Sequence, residues 1–248
     1  MNVSLYQAAA AMNAQARWQE LITENLAHAS VPGYRKNEIS FSAVSAGMDP
    51  TAPNSINSQY AIPAANSRID LQPGELRATN NNFDFALEGP GYFEVKLPNG
   101  SRAYTRDGEF HLNATGQLVT KQGHIVMGDA GPIQFDPNDG GPLTVSPSGD
   151  VNQGGEVKGH LRMAEFNNPR ELTSIGDGFY LADKTSTKPN PAITTQIRQG
   201  FLEGANTSPT AEMTSLITAM RMFEANSKVL QMQDERMGRV ISDLGSPT

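Results

Sequence analysis

The sequence predicts an α+β chain. Long N- and C-terminal helices pair as a coiled coil, and an antiparallel β-rich domain is inserted between them as a small sandwich or open barrel. Three observations predict this. The 23 Gly and 16 Pro crowd the middle of the chain and nearly vanish from its ends. Both ends carry apolar residues at three-four spacing. Between 71 and 181, short apolar runs alternate with Asn-Gly and Asp-Gly pairs, which supply the positive φ of tight hairpins.

The first element, residues 1–30, is an axial helix rich in Ala. Leu5, Ala8, Met12, Gln15, Gln19, Ile22 and Leu26 form one stripe, and Ala11, Ala14, Trp18 and Leu21 a neighbouring one. Val31-Pro32-Gly33 stops it, because Pro disfavours helix before it and Gly turns the chain. Residues 31–70 read as an extended connecting segment. There Arg35 to Phe41 form a short strand or arm, and the rest is a long loop or a strand pair. Residues 71–181 form the β-rich outer domain. Its strands are expected at Tyr92–Leu97, Ser101–Arg106, Glu109–Leu112, Gln117–Thr120, His124–Met127, Ile133–Phe135, Leu143–Val145, Val157–Met163 and Phe179–Leu181. The return segment, 182–207, ends in a strand from Ile197 to Leu202.

Residues 208–248 form the second axial helix. Ser208 caps it, Pro209 takes its first position and Glu212 reaches back. Met213, Leu216, Met220, Phe223, Leu230, Met237, Ile241 and Leu244 make a heptad seam interrupted by Ser227 and Asp234, which can fix register. From Pro209 to Leu244 such a helix is roughly 54 Å long. That exceeds what its own domain needs, so the seam is expected to meet something outside. The candidate assembly surface is therefore Leu5, Ala8, Met12, Ile22 and Leu26 with Met213, Leu216, Met220, Phe223, Leu230, Met237 and Ile241.

Composition excludes several functions. Net charge is −7 and no basic cluster exceeds Arg35-Lys36, which argues against nucleic acid. No apolar run approaches twenty residues, so no membrane span is expected, and no ordinary secretory signal is visible. Cys is absent, which removes disulfides and thiolate metal sites. His28, His111, His124 and His160 lack ligand-like spacing. Asp136, Asn138 and Gly141 mimic the start of a calcium loop, but Pro147 stands where the bidentate Glu belongs. Glu88-Gly89-Pro90-Gly91 leads into a strand, not a helix, so it offers no anion site. No cofactor and no catalytic residue is expected; the competing classes are a secreted interaction module and an enzyme housed in the β domain.

Three blocks then carry a resemblance. The first is Asn25-Leu26-Ala27-His28-Ala29-Ser30-Val31-Pro32-Gly33-Tyr34-Arg35-Lys36. The second comprises Gly91-Tyr92-Phe93-Glu94-Val95, Tyr104-Thr105-Arg106-Asp107-Gly108-Glu109-Phe110 and Gly116 to Thr120. The third runs from Glu203 through Asn206 to Glu212, Arg221, Glu224, Asn226 and Lys228. Together they resemble the rod and hook axial proteins of the bacterial flagellum, in order and over nearly the whole chain. Glu24, His28, Val31, Ala205 and Thr207 depart from the usual pattern. Length and the segment Gly128 to Ile133 are more similar to the proximal rod member than to the distal rod or hook-type members.

The resemblance implies a structural subunit of the basal-body rod that self-assembles through its terminal helices. Its partners would be other copies, other rod subunits, the surrounding ring proteins and the flagellar export apparatus. It would lie in the rod within the periplasmic space, exported without a cleaved signal.

Overall fold

A computed structural model describes residues 3–46, 60–136, 141–182 and 188–245, with side chains described at 8–42, 64–136, 141–182, 188–239 and 242. The chain divides into two compact units. The first comprises Met1–Leu26, Asn37–Arg68 and Pro209–Thr248; the second comprises Ala27–Lys36 and Ile69–Ser208.

The first unit begins with α1 (Val3–Ala27), a segment free of Gly and Pro and rich in Ala, Gln, Leu and Glu, all good helix formers. Asn25, buried near its end, donates from Nδ2 to Asn37 O (2.9 Å) and accepts from Asn37 N–H at Oδ1 (2.8 Å). This pins the start of β1 (Asn37–Ala46), which pairs with β2 (Tyr60–Ile69) as a two-stranded ribbon. Trp18 meets Phe41 edge-on at 5.9 Å.

The second unit is built of short strands. In order they are β3 (Leu76–Ala78), β4 (Phe85–Glu88), β5 (Tyr92–Lys96), β6 (Arg102–Thr105), β7 (Phe110–Leu112), β8 (Leu118–Thr120), β9 (Ile125–Gly128) and β10 (Gly131–Pro132). There follow β11 (Leu143–Val145), β12 (Asp150–Gln153), β13 (Glu156–His160), β14 (Met163–Glu165), β15 (Thr173–Gly176), β16 (Phe179–Leu181), β17 (Asn190–Pro191), β18 (Gln196–Gln199) and β19 (Phe201–Glu203). The principal sheet runs β15-β16-β6-β5-β9-β8-β7, with β10 on β9 and β14 on β5. Three smaller sheets complete the unit: β11-β12-β13, β18-β4 and β19-β3.

Side chains alternate across β5 as strand geometry requires. Phe93 and Val95 enter a core with Phe85, Phe110, Leu118, Val126, Val151, Leu161 and Ile197. Tyr92 faces a separate aromatic cluster with Tyr104, Phe166, Leu172 and Tyr180. The chain closes with α2 (Pro209–Gly245), which belongs to the first unit and has Pro at its first position.

The expected architecture requires correction. The described residues hold nineteen strands against two α-helices and one 3-10 turn, so the chain is mainly β, and α1 and α2 do not form a coiled coil. A coiled-coil seam would be buried, yet Met213, Met220 and Met237 are 53%, 50% and 44% exposed. Heptad spacing reports an apolar stripe and says nothing of what covers it. Among the described side chains of α1 the buried ones are Ala14 and Leu21 of the neighbouring stripe, Ile22 of the first stripe, and Asn25. The strands of the β unit form one ten-stranded sheet and three lesser ones.

Candidate assembly interface and the junction of the β unit

In the second unit, residues 33–36 lie against 203–206. Gly33 N–H donates to Glu203 O (2.7 Å), and Asn206 N–H donates to Tyr34 O (3.1 Å). The Asn206 side chain completes the join. Its Oδ1 accepts from Lys36 N–H (2.7 Å), and its Nδ2 donates to Asp70 O (3.1 Å) and Gln72 O (3.0 Å). One amide thereby satisfies three backbone groups from two separate segments.

Beneath this join lies a buried ion cluster. The Glu203 side chain is 1% exposed, Arg35 2% and Arg106 5%. Arg35 Nη2 reaches Glu203 Oε1 at 2.6 Å, and Arg106 Nη1 reaches Oε2 at 3.2 Å. Gly74 N–H donates to Oε1 (2.8 Å). Further guanidinium donors go to carbonyls, Arg35 to Gln72 O and Arg106 to Gly89 O and Leu87 O, while Arg106 Nε is buried without a hydrogen-bond partner. Arg106 also sits 5.1 Å over the Tyr92 ring. Burial lowers the Arg106 pKa, with Glu203 pulling it back. Burial likewise raises Tyr92 and Tyr180.

Gly33 is required here. Its φ is +66°, and a Cβ would lie 2.4 Å from the Arg106 carbonyl carbon. Tyr34, buried, stacks on His28 at 5.1 Å, and His28 Nε2 stands 3.5 Å from Asp177 Oδ1. Residues from all three sequence blocks, remote along the chain, thus meet in one place: Gly33 to Lys36, Tyr92 with Arg106, and Glu203 with Asn206. Arg35, Arg106 and Glu203 each fall within one of the three blocks, but the sequence does not show that they pair. Glu203 and Arg106 are 97 residues apart, and no local spacing pairs them.

The candidate assembly residues fall otherwise. In α1, Ile22 is buried, while Ala8, Met12 and Leu26 are half-buried. In α2, Met213, Met220 and Met237 are exposed and Leu216, Phe223 and Leu230 half-buried. The side chains of Leu5 and Ile241 lie outside the described residues. Of the motif residues, Asn25 is buried, Gly33 and Tyr34 are buried in the junction, Pro32 and Asn206 are half-buried there, and Ala27 is exposed at the end of α1. Glu212 and Asn226 are half-buried on α2, where Arg221, Glu224 and Lys228 are exposed.

The structure adds Ile217, Met222, Val229 and Met232, between 42% and 55% exposed. At roughly 100° per residue, Met213, Ile217 and Met220 share one side of α2, and Met222 and Val229 the opposite side. Ala219 between them is fully buried. A heptad reading follows one seam and passes over the second.

Among the described residues, no group of three or more His, Asp or Glu is placed to hold a metal, and no helix is long and apolar enough to cross a membrane. Asn138 of the calcium-loop mimic lies outside the described residues. A cavity of about 320 Å³ is lined in part by Glu94, Arg102, Asp129 and Arg162. Both arginines pair there with the buried Glu94, at 3.5 Å (Arg102) and 3.3 Å (Arg162).

Residues 86–153 match the flagellar hook protein FlgE/F/G D1 domain, and residues 198–244 the C-terminal domain of flagellar basal-body rod FlgEFG proteins. The chain is 31% identical to the flagellar basal-body rod protein FlgF of Mesorhizobium japonicum, over 99% of both chains. It is 31% identical to FlgF of Escherichia coli, covering 96% of this chain and 97% of that one. To the rod protein FlgG of Agrobacterium fabrum it is 31% identical, over 95% and 96%. A chain similar along its full length to these rod proteins belongs to the flagellar basal-body rod protein family and is a structural subunit of the rod.

Proposed function

We propose that this subunit occupies the proximal rod and joins other copies and other rod subunits through α2, with α1 contributing Ala8, Met12, Ile22 and Leu26. It performs no catalysis. The observation that carries this reading is α2 itself, a long helix with exposed apolar side chains on two opposite sides. Two-sided exposure suits a helix lying between neighbours. A head-to-tail contact that does not close produces a helical filament. Full burial of each large apolar side chain contributes about 1.5–3 kcal/mol, and the half-exposed ones here would gain about half that. Met adapts to neighbours of unequal shape, as a shaft made of several related subunits requires. The β unit is left to face the surrounding ring proteins, and the chain reaches its place through the flagellar export apparatus.

Met220→Asp tests the surface. Met220 is 50% exposed, so the subunit should fold with unchanged circular dichroism. Basal bodies from the variant strain should lack the subunit, and motility should be lost. Normal motility with the variant incorporated would remove this surface from the reading. Antibody label along purified basal bodies tests position: label near the inner membrane supports the proximal rod, and label near the hook assigns the distal rod.

A further inference from the structure

We propose that α2 is a site of reversible methionine oxidation by hydroperoxides, open before the subunit is incorporated and closed afterwards. The inference rests on the assembly reading of α2. Five of the ten methionines stand on this one helix. Met213, Met220, Met222, Met232 and Met237 are 53%, 50%, 50%, 55% and 44% exposed, whereas Met163 in the β unit is 7% exposed. Thioether oxidation needs direct approach of the oxidant, so exposure sets the order of reaction.

In the step, a lone pair on Sδ attacks one peroxide oxygen and the O–O bond breaks. The sulfide is oxidised to sulfoxide, and hydrogen peroxide is reduced to water once the departing hydroxide takes up the proton from the transferred oxygen. Each event adds one oxygen atom to the side chain. The product is polar and chiral where the seam requires an apolar group, so a sulfoxide at Met213, Met220 or Met237 opposes burial against a neighbour. Sulfoxide reductases restore the thioether, which makes the block reversible. Leu fills a similar apolar volume and cannot be oxidised. The seam already holds Leu216 and Leu230, so Leu at the Met positions keeps it apolar.

The experiment uses the purified full chain and a variant carrying Met213→Leu, Met220→Leu, Met222→Leu, Met232→Leu and Met237→Leu. Each is treated with dilute hydrogen peroxide, quenched with catalase, and divided between peptide mass spectrometry and sedimentation velocity. The α2 methionines are expected to oxidise at least about tenfold faster than Met163. Treated wild-type protein should lose about tenfold in associated fraction, the treated variant should lose little, and a sulfoxide reductase should restore the wild type. Equal rates at Met163 and α2, or equal loss in both proteins, or no loss in either, would overturn the inference. The untreated arm is separate. If untreated wild type does not associate, or associates as well with Met220→Asp, the assembly reading fails, while the order of oxidation still tests exposure at α2.

Discussion

Glu203→Gln is the substitution that most directly probes the junction. The Glu203 carboxylate is 1% exposed and faces two guanidiniums that are 2% and 5% exposed. Gln keeps the volume and one acceptor, but removes the charge and turns an amide NH2 toward a donor. Two buried cations then share no counter-ion. Breaking a buried ion pair by removing one partner costs about 3–5 kcal/mol, so the expected loss is about 4 kcal/mol. With a urea slope of about 2 kcal/mol/M, the midpoint should fall by about 2 M. Tyr92, Tyr104 and Tyr180 are all buried in this unit, so near-ultraviolet circular dichroism of the tyrosines follows its unfolding. A fall of less than about 0.5 M would mean that the cluster is worth no more than an exposed ion pair, and the reasoning would be wrong. The apolar triple variant, Arg35→Met with Arg106→Met and Glu203→Leu, should recover most of the loss, because no buried charge is left unpaired.

Gly33→Ala should cost about 3 kcal/mol or more in the same assay, since it combines a positive φ with a Cβ 2.4 Å from backbone; loss below about 1 kcal/mol would show that residues 32–34 shift freely. Asn206→Ala removes two part-buried hydrogen bonds, to Lys36 and Asp70, and an exposed one to Gln72, and should cost about 2 kcal/mol, with Asn206→Asp intermediate because Oδ1 still accepts from Lys36 N–H. Burial raises the Asp107 carboxyl to about 6 from 3.8, against the opposing hydrogen bond from Glu109 N–H. The fold therefore holds a proton that the unfolded chain releases between about pH 4 and 6. This contribution is full below the unfolded value and is lost as pH rises through about 6, amounting to about 3 kcal/mol. Asp107→Asn should flatten urea midpoints across that window and exceed wild type at pH 7; a parallel decline in both proteins would assign the dependence elsewhere.

Much of the β unit was legible because hairpin turns are local. Asn99-Gly100 lies between β5 and β6, with Gly100 at φ +83°, and Gly116 precedes β8 at φ +76°. Expected runs failed where a strand breaks. Val157 to Met163 divides into β13 and β14, and Ile197 to Leu202 divides at Gly200, whose φ of +79° lets β18 pair with β4 and β19 with β3. Ile133 to Phe135 shortens to an isolated bridge between Gln134 and Gln117, with Ile133 and Phe135 buried in the core and Gln134 exposed. The helices were legible in extent from composition, Gly and Pro, but their partners were not. The junction was hidden for a different reason: its charges come from positions 35, 106 and 203, and only the folded sheet brings them together.

The placement of charge at that junction follows from what apolar packing cannot do. An apolar cluster of equal volume would stabilise the unit about as well, because the attraction between buried ions is largely offset by their desolvation. It would also tolerate sliding of one segment along another, since apolar contacts have no direction. Glu203 has two oxygens, each committed to a different guanidinium, and each guanidinium is held by carbonyls at Gln72, Leu87 and Gly89. A one-residue slip of 203–206 against 33–36 would strand the carboxylate and break the Asn206 contacts together. Lys36 and Asp70, where the chain leaves and re-enters this unit, are joined by Asp70 N–H to Lys36 O (2.9 Å), and Asn206 contacts the backbone of both. Departure toward β1, return from β2 and the approach to α2 are therefore set by one group of polar contacts within the β unit. Every copy of a rod subunit needs the same register, and directional contacts supply it where burial alone would not.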